Sequence, residues 1–248
     1  MVSLERTLSD GRVAIYRHPL LVRATHWINA LCLLVLLLSG LQILNAHPAL
    51  YWGNTSVFDD PFIAFSSGVE EGPAIPHWLT LPPWQDLAGG RRWHFFFAWL
   101  FVLNGLLYVI HALTSRRVSR VLAPTRTQLQ HIGSSIREHF KLHFPQGEEA
   151  RKYNVLQKLS YLVVLFGLLP LMVLTGLTLS PGMDARFHFL TEILGGRQSA
   201  RTIHFMTAMA IVLFFLIHMI AMVAAGPVTE LRSIITGWFV IRSEKRRS

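Results

Sequence analysis

Residues 201–223 read RTIHFMTAMAIVLFFLIHMIAMV, and after Arg201 the only ionisable side chains in the stretch are His204 and His218. The run is long enough to cross about 30 Å of hydrocarbon as a single helix. Its two histidines lie fourteen residues apart. That spacing advances a helix by about 21 Å and nearly four whole turns, so both rings leave one face at opposite membrane depths. Imidazole is costly in hydrocarbon and usually faces the interior of a helix assembly, where it marks a functional site.

The composition agrees with this reading. Of 248 residues, 52% are hydrophobic and only 15% charged, unlike an ordinary soluble domain. Three more segments have membrane length, which predicts spans near 23–45, 93–113, 156–179 and 203–225. The expected fold class is an all-α integral membrane protein, a four-transmembrane-helix bundle forming a single membrane domain over 1–248. The first apolar stretch is too long, starts too late and lacks the small-residue site of a cleavable signal. No repeat of fixed period and no separate soluble domain are legible.

Charge sets the expected orientation. Arg6, Arg12, Arg17 and Arg23 precede the first span, with Glu5 and Asp10 opposing them. Loop 46–92 is acidic, with Asp59, Asp60, Glu70, Glu71 and Asp86 against Arg91 and Arg92. Connection 114–155 is basic (Arg116, Arg117, Arg120, Arg126, Arg137, Lys141, Arg151 and Lys152), and the tail ends Glu244-Lys245-Arg246-Arg247. Lys and Arg near span ends favour the cytoplasm, which predicts an N-in, C-in topology with a long periplasmic loop. The net charge of +9 is then a topology signal and speaks for membrane lipid, with no nucleic acid among the partners.

Two connections carry helical apolar spacing: Leu129, Ile132, Ile136 and Phe140, and then Leu231, Ile234, Ile235, Trp238 and Phe239. Both predict interfacial cytoplasmic helices. The outer loop, rich in Pro and in Trp52, Trp78 and Trp84, is long for a helical hairpin and suits an interfacial or docking role. Cys32 is the single cysteine, which excludes an intrachain disulfide, a CxxC site and an iron–sulfur cluster. CxxCH is absent, so any haem would be non-covalent.

With the N-terminus inside, His26 and His218 fall at the inner face, while His94 and His204 fall at the outer face. The natural reading is two metal sites, each with two histidine ligands, holding two non-covalent haem b groups. Such ligation leaves no open iron position and suits electron transfer. Zinc would want three or four ligands close together, which two distant pairs do not supply. Gly40 follows His26 by fourteen residues and Gly105 follows His94 by eleven. Both are candidate close-approach points for a macrocycle, or ordinary small-residue helix contacts. His111 has a suitable depth for the inner site but is rotated about 100° from the face of His94. It is a candidate for a haem edge, a quinone pocket or a proton path. Asn29 and Asn104 are polar within spans and suit an interhelical hydrogen bond or a quinone carbonyl. Haem carboxylates need cations: Arg91, Arg92, Arg197 and Arg201 are placed for the outer haem, Arg23 and Arg116 for the inner one.

The segment Tyr16-Arg17-His18-Pro19-Leu20-Leu21-Val22-Arg23-Ala24-Thr25-His26-Trp27 resembles the start of the first helix in prokaryotic b561-type cytochromes. These include the cytochrome b subunits of nickel–iron hydrogenases and formate dehydrogenases. Gly90-Arg91-Arg92-Trp93-His94 and Gly196-Arg197-Gln198-Ser199-Ala200-Arg201-Thr202-Ile203-His204 are similar to the other ligand-bearing helix starts, and the likeness covers all four spans. It implies a four-helix dihaem core exchanging electrons between the membrane quinone pool and a periplasmic oxidoreductase or carrier. Membrane cytochromes serving molybdopterin enzymes of the sulfite-oxidase type are the nearest look-alikes. The long loop 46–92 departs from a minimal core and favours a dedicated outer partner. On this reading the chain is an electron-transfer subunit rather than a complete enzyme, and a homo-oligomer is compatible with it. The main rival is a haem-free membrane anchor that docks a soluble enzyme. A small transporter is disfavoured because Asp, Glu, Lys and Arg keep to the span ends.

Overall fold

The structure, a computed structural model, describes residues 4–9, 11–66, 72–130, 132–133 and 154–241. Among them, four helices are long and apolar enough to cross a membrane: α1 (Leu20–Asn45), α2 (Leu87–Thr114), α4 (Val155–Leu179) and α7 (Arg197–Ala225). Each begins before the apolar stretch that marks it in the sequence, by up to six residues. Backbone hydrogen bonding continues through charged first turns that hydropathy does not register. Thus Asp86 accepts the Gly89 N–H at 2.8 Å ahead of Arg91 and Arg92. Asn154 opens α4 with a capping box, its side chain accepting from Leu156 N while Gln157 accepts from Asn154 N. Within α4, residues Val164–Leu168 form a π turn.

The chain divides into two compact units, one of Met1–Trp27, Leu107–Leu165 and Leu213–Ser248, the other of Ile28–Leu106 and Phe166–Val212. In the first unit, β1 (Glu5–Thr7), β2 (Val13–Tyr16) and β5 (Trp238–Val240) form an antiparallel sheet in the order β1-β2-β5. Ala14 pairs with Val240 and Tyr16 with Trp238. Ile15, Phe239 and Ile241 form its buried cluster, with Val13 packed against it. Arg6 lies over Trp238 at 4.9 Å and Arg17 over Phe239 at 4.7 Å. The expected C-terminal interfacial helix is thereby corrected. It runs only over α8 (Pro227–Thr236), because Gly237 turns left-handed at φ +89° and sends Trp238 and Phe239 into the sheet. In the inner connection, α3 spans Arg126–Gln130. Ile136, Arg137, Phe140 and Lys141 of the expected amphipathic helix lie outside the described residues, as do Glu70, Glu71 and the basic tail. Lys158 donates to the Ala123 carbonyl and to Gln128, fixing this connection to the start of α4.

In the second unit, Cys32 is fully buried beside Phe97 and Phe101, with Leu36, Leu100, Leu169 and Val173 around them. This cluster packs α1, α2 and α4 together. Asn104 donates to Asn29 at 2.6 Å, an interhelical amide bond of a kind worth about 0.6 kcal/mol in a membrane. The long loop is folded onto the helix ends. Asn45 exchanges two hydrogen bonds with Ile75, Gln42 donates to the Trp84 carbonyl at 2.6 Å, and Leu81 N donates to Leu38 O at 3.1 Å. The paired strands β3 (Ala49–Leu50) and β4 (Ile63–Ala64) give the loop its own register. Short helices α5 (Pro181–Asp184) and α6 (His188–Ile193) join α4 to α7. There Asp184 accepts from Thr191 and His188 and faces Arg197 at 3.7 Å. The Thr191 hydroxyl holds its carboxyl below the usual carboxylate range.

Candidate functional site

His94 on α2 and His204 on α7 meet within the second unit, ring centroids 6.3 Å apart and planes inclined by 62°. An imidazole nitrogen lies about 1.1 Å from its ring centroid and bonds a metal at about 2.0–2.1 Å, as at zinc. Two rings flanking one ion therefore stand about 6.2–6.4 Å apart, and the pair fits. Among the described residues no group of three His, Cys, Asp or Glu side chains converges as a metal site. The site thus offers two nitrogens, the donor set that a planar macrocycle completes.

Each ring is held from behind in the same way. Ser39 Oγ lies 3.1 Å from His94 Nδ1, and Thr175 Oγ1 lies 2.9 Å from His204 Nδ1. The single hydroxyl hydrogen is engaged elsewhere in both cases: Ser39 donates to Val35 O at 2.6 Å and Thr175 to Leu171 O at 2.8 Å. The hydroxyl oxygens therefore accept Nδ1–H, and Nε2 of each histidine is left unprotonated to bind a metal. The residue after each hydroxyl is a glycine. A Cβ at Gly40 would stand 3.4 Å from His94 Cε1, and one at Gly176 3.3 Å from His204 Cε1. A hydroxyl–glycine pair on α1 seats the histidine of α2, and the same pair on α4 seats that of α7.

His26 and His218 lie in the first unit, close enough to interact electrostatically. His218 stacks on Phe214 with centroids 6.0 Å apart, and His26 meets Trp27 edge-on at 5.3 Å. Their helices are joined beyond the rings by the terminal sheet. Gly237 O accepts from Arg17 N at 2.8 Å and His18 N at 3.3 Å, and Arg23 donates to the Ile235 carbonyl.

The other expected site residues are placed as follows. Gly40 lies against a histidine ring, whereas a Cβ at Gly105 would meet nothing within 4 Å. Arg91 lies over the Phe95 ring at 5.8 Å. Arg201 donates to the carbonyls of His47 and, at 3.0 Å, Ala49. Its terminal nitrogens thus tie the long loop to α7, aided by Thr202 donating to Tyr51 O at 2.6 Å. His111 presents its carbonyl to the Ser115 hydroxyl. Arg116 ends α2 in the left-handed region at φ 53°. Sequence reasoning missed Ser39, Thr175 and Gly176. The available signal was a hydroxyl–glycine dipeptide repeated in two spans, Ser39-Gly40 and Thr175-Gly176.

Residues 17–237 match the family model described as prokaryotic cytochrome b561. The chain belongs to the prokaryotic cytochrome b561 family. It is 31% identical over 217 residues to "Putative protein-methionine-sulfoxide reductase subunit YedZ1" of Azospira oryzae, covering 88% of this chain and 94% of the relative. No solved structure matches it. As a b561 family member the chain is a multi-pass protein of the bacterial cytoplasmic membrane and an electron-transferring cytochrome that binds haem b.

Proposed function

We propose that the chain binds two b-type haems, one between His94 and His204 and one between His26 and His218, and carries electrons between membrane quinone and a periplasmic oxidoreductase. The observation that carries this reading is the outer pair: two imidazoles at metal-bridging separation, each oriented by a hydroxyl acceptor on Nδ1. Held between two imidazoles, haem b supplies a one-electron ferric–ferrous couple without an open coordination position. His94 and His204 would hold the outer group, and Ser39 and Thr175, as acceptors for Nδ1–H, would raise the basicity of the two imidazoles. His26 and His218 do the same work at the cytoplasmic end. His204 and His218 lie fourteen residues apart on α7, a helical rise of about 21 Å, which supports two haem sites served by one helix. Arg23 near the inner pair and Arg91 near the outer pair supply positive charge for haem carboxylates.

The partner follows from the sulfoxide reductase subunit named above and from the folded outer loop. The chain would pass electrons from quinol to a periplasmic enzyme, of molybdopterin type, that reduces oxidised methionine. The test is a pyridine haemochrome count with a reduced-minus-oxidised spectrum on the purified chain. Two haems b per chain are expected. A colourless protein, made with ample haem supply, would overturn the reading in favour of a haem-free anchor.

Thr175→Val gives a finer check. Loss of the Nδ1–H acceptor makes His204 less basic and disfavours the ferric state, so the outer midpoint potential should rise. Losing such an orienting partner typically changes metal affinity 10–100-fold, and a tenfold difference between oxidation states is about 59 mV for one electron. Because the Met172 carbonyl remains an acceptor for His204, a rise on the order of tens of millivolts is expected in a potentiometric titration. An unchanged potential would count against the hydrogen-bond role.

A further inference from the structure

Within the second unit the long loop lays an extended segment, residues 47–53, between two supports. One set of alternate carbonyls faces α7. His47 and Ala49 accept from Arg201, Tyr51 accepts from the Thr202 hydroxyl, and Gly53 accepts from Gln198 N at 2.9 Å and Ser199 N at 3.1 Å. The Ser199 hydroxyl closes this seam by accepting from Gly53 N at 2.8 Å. The carbonyls in between bond the strand on the other side: Pro48 accepts from Phe65 N and Leu50 from Phe62 N, both at 2.8 Å. The seam is close, since a Cβ at Gly196 would stand 2.6 Å from Gly53 O. The segment is thereby fixed to the first turns of α7, the helix that carries His204.

What the segment supports is an exposed tip. Asp60 N donates to Val57 O at 3.0 Å, closing a turn over residues 57–60. Such turns favour small polar residues, yet Phe58 is 74% exposed and Val57 53%, with Trp52 and Phe62 about half exposed at the base of the tip. Asp59 and Asp60 are exposed as well. Phe58 is propped edge-on against His47 at 5.7 Å and against the buried Tyr51 at 6.3 Å, and those two rings stack on each other at 5.6 Å. Trp52 packs on Phe62 at 5.2 Å. A preorganised aromatic anchor with a polar rim is the pattern of a protein–protein hot spot. Charge selects the occupant. Segments that rest among lipid headgroups carry Lys and Arg, whereas this turn carries two carboxylates. A second copy joined through the same patch would set those carboxylates against each other. A partner with Lys or Arg around an apolar hollow meets both features.

We infer that this tip docks the periplasmic electron-accepting enzyme, Phe58 entering an apolar hollow whose rim of Lys or Arg pairs with Asp59 and Asp60. The inference rests on the proposed transfer of electrons to such an enzyme and adds the surface that receives it. The seam between residues 47–53 and α7 then joins the docked enzyme to the helix that carries His204. The experiment puts the photo-crosslinker benzoylphenylalanine in place of Phe58, Trp78 or Ile193 of the full chain in its native cells, and identifies adducts by peptide mass spectrometry. Trp78 and Ile193, 76% and 75% exposed, are equally accessible controls. Phe58 adducts should be chiefly to a periplasmic molybdopterin-type enzyme, through a peptide that contains Lys or Arg. D59K/D60K should lower that yield roughly tenfold or more, because opposed charges speed encounter and like charges suppress it. Phe58 adducts to lipid or to a second copy alone, with the enzyme captured from Trp78 or Ile193, overturn the docking surface and leave electron transfer to the enzyme standing. Enzyme adducts from none of the three positions, in membranes with an intact haem count, overturn the surface together with the partner reading. A full Phe58 yield in D59K/D60K also overturns the proposal. The comparison among the three crosslinker positions decides even if the lysine pair does not fold.

Discussion

His204→Ala is expected to halve the haem content, from two haems b per chain to one, and to leave the remaining haem spectrally intact. On the proposed ligation the substitution removes one of the two nitrogens that would hold the outer haem, and it empties the space that Gly176 keeps open for the ring. His94 alone, still oriented by Ser39, would then offer a single bond where the proposed site offers two. His218→Ala should have the mirror effect at the other site. The two pairs belong to separate compact units and share no ligand, so the losses should add, and the double variant should be colourless. Quinol-driven reduction of an outer acceptor should fall at least a hundredfold in either single variant, since an electron cannot cross with one station missing. Haemochrome counts and reduced-minus-oxidised spectra check this. Loss of both haems in each single variant would show that the sites are not independent, and retention of both would remove these histidines as ligands.

Gly237→Val is expected to damage the inner site selectively. At φ +89° a side chain is strained from the outset. Its Cβ would stand 2.6 Å from the Tyr16 ring and 2.8 Å from the His18 carbonyl. The backbone carbonyl cannot swing away as a flexible side chain could. The sheet must therefore open between β2 and β5, releasing the hydrogen bonds from Arg17 and His18 to Gly237. These contacts tie the residues before α1 to those after α8, and so restrain the helices that carry His26 and His218. The expected outcome is loss or heterogeneity of one haem signal in low-temperature absorption, with the other unchanged. Cysteines at the paired positions Ala14 and Val240, oxidised to a disulfide in the purified variant, should restore the lost signal. If both haems keep their spectra and potentials after the sheet has opened, the sheet has no part in positioning the ligands.

The histidines were legible from sequence because an imidazole in a hydrocarbon run is conspicuous and its angular position follows from counting residues. The spans were legible for the same reason, apart from charged first turns such as that of Arg91 and Arg92. What holds the histidines was not legible. Ser39 and Thr175 look like ordinary span residues until α1 faces α2 and α4 faces α7. The role of Gly40 changes with that information too, since its neighbour is the histidine ring itself. Arg201 illustrates the converse. Its position suited a haem carboxylate, and the structure adds a role that hydropathy cannot place: its terminal nitrogens donate to two loop carbonyls. The terminal sheet escaped notice because strands of three and four residues, paired across most of the chain, carry almost no periodic signal. Gly237 alone separates a helix through Phe239 from the observed strand.

The pairing of β2 with β5 also sets an order on biogenesis. Domains and segments made first can fold first during synthesis, and β2 leaves the ribosome more than two hundred residues before its partner. Until Trp238–Val240 is made, β2 presents an unpaired edge of the kind that recruits foreign strands. The inner pair likewise waits for His218. The end that carries the terminal sheet is therefore completed last, and a chain cut short before Trp238 would reach the bilayer with four spans but with an adhesive edge still exposed.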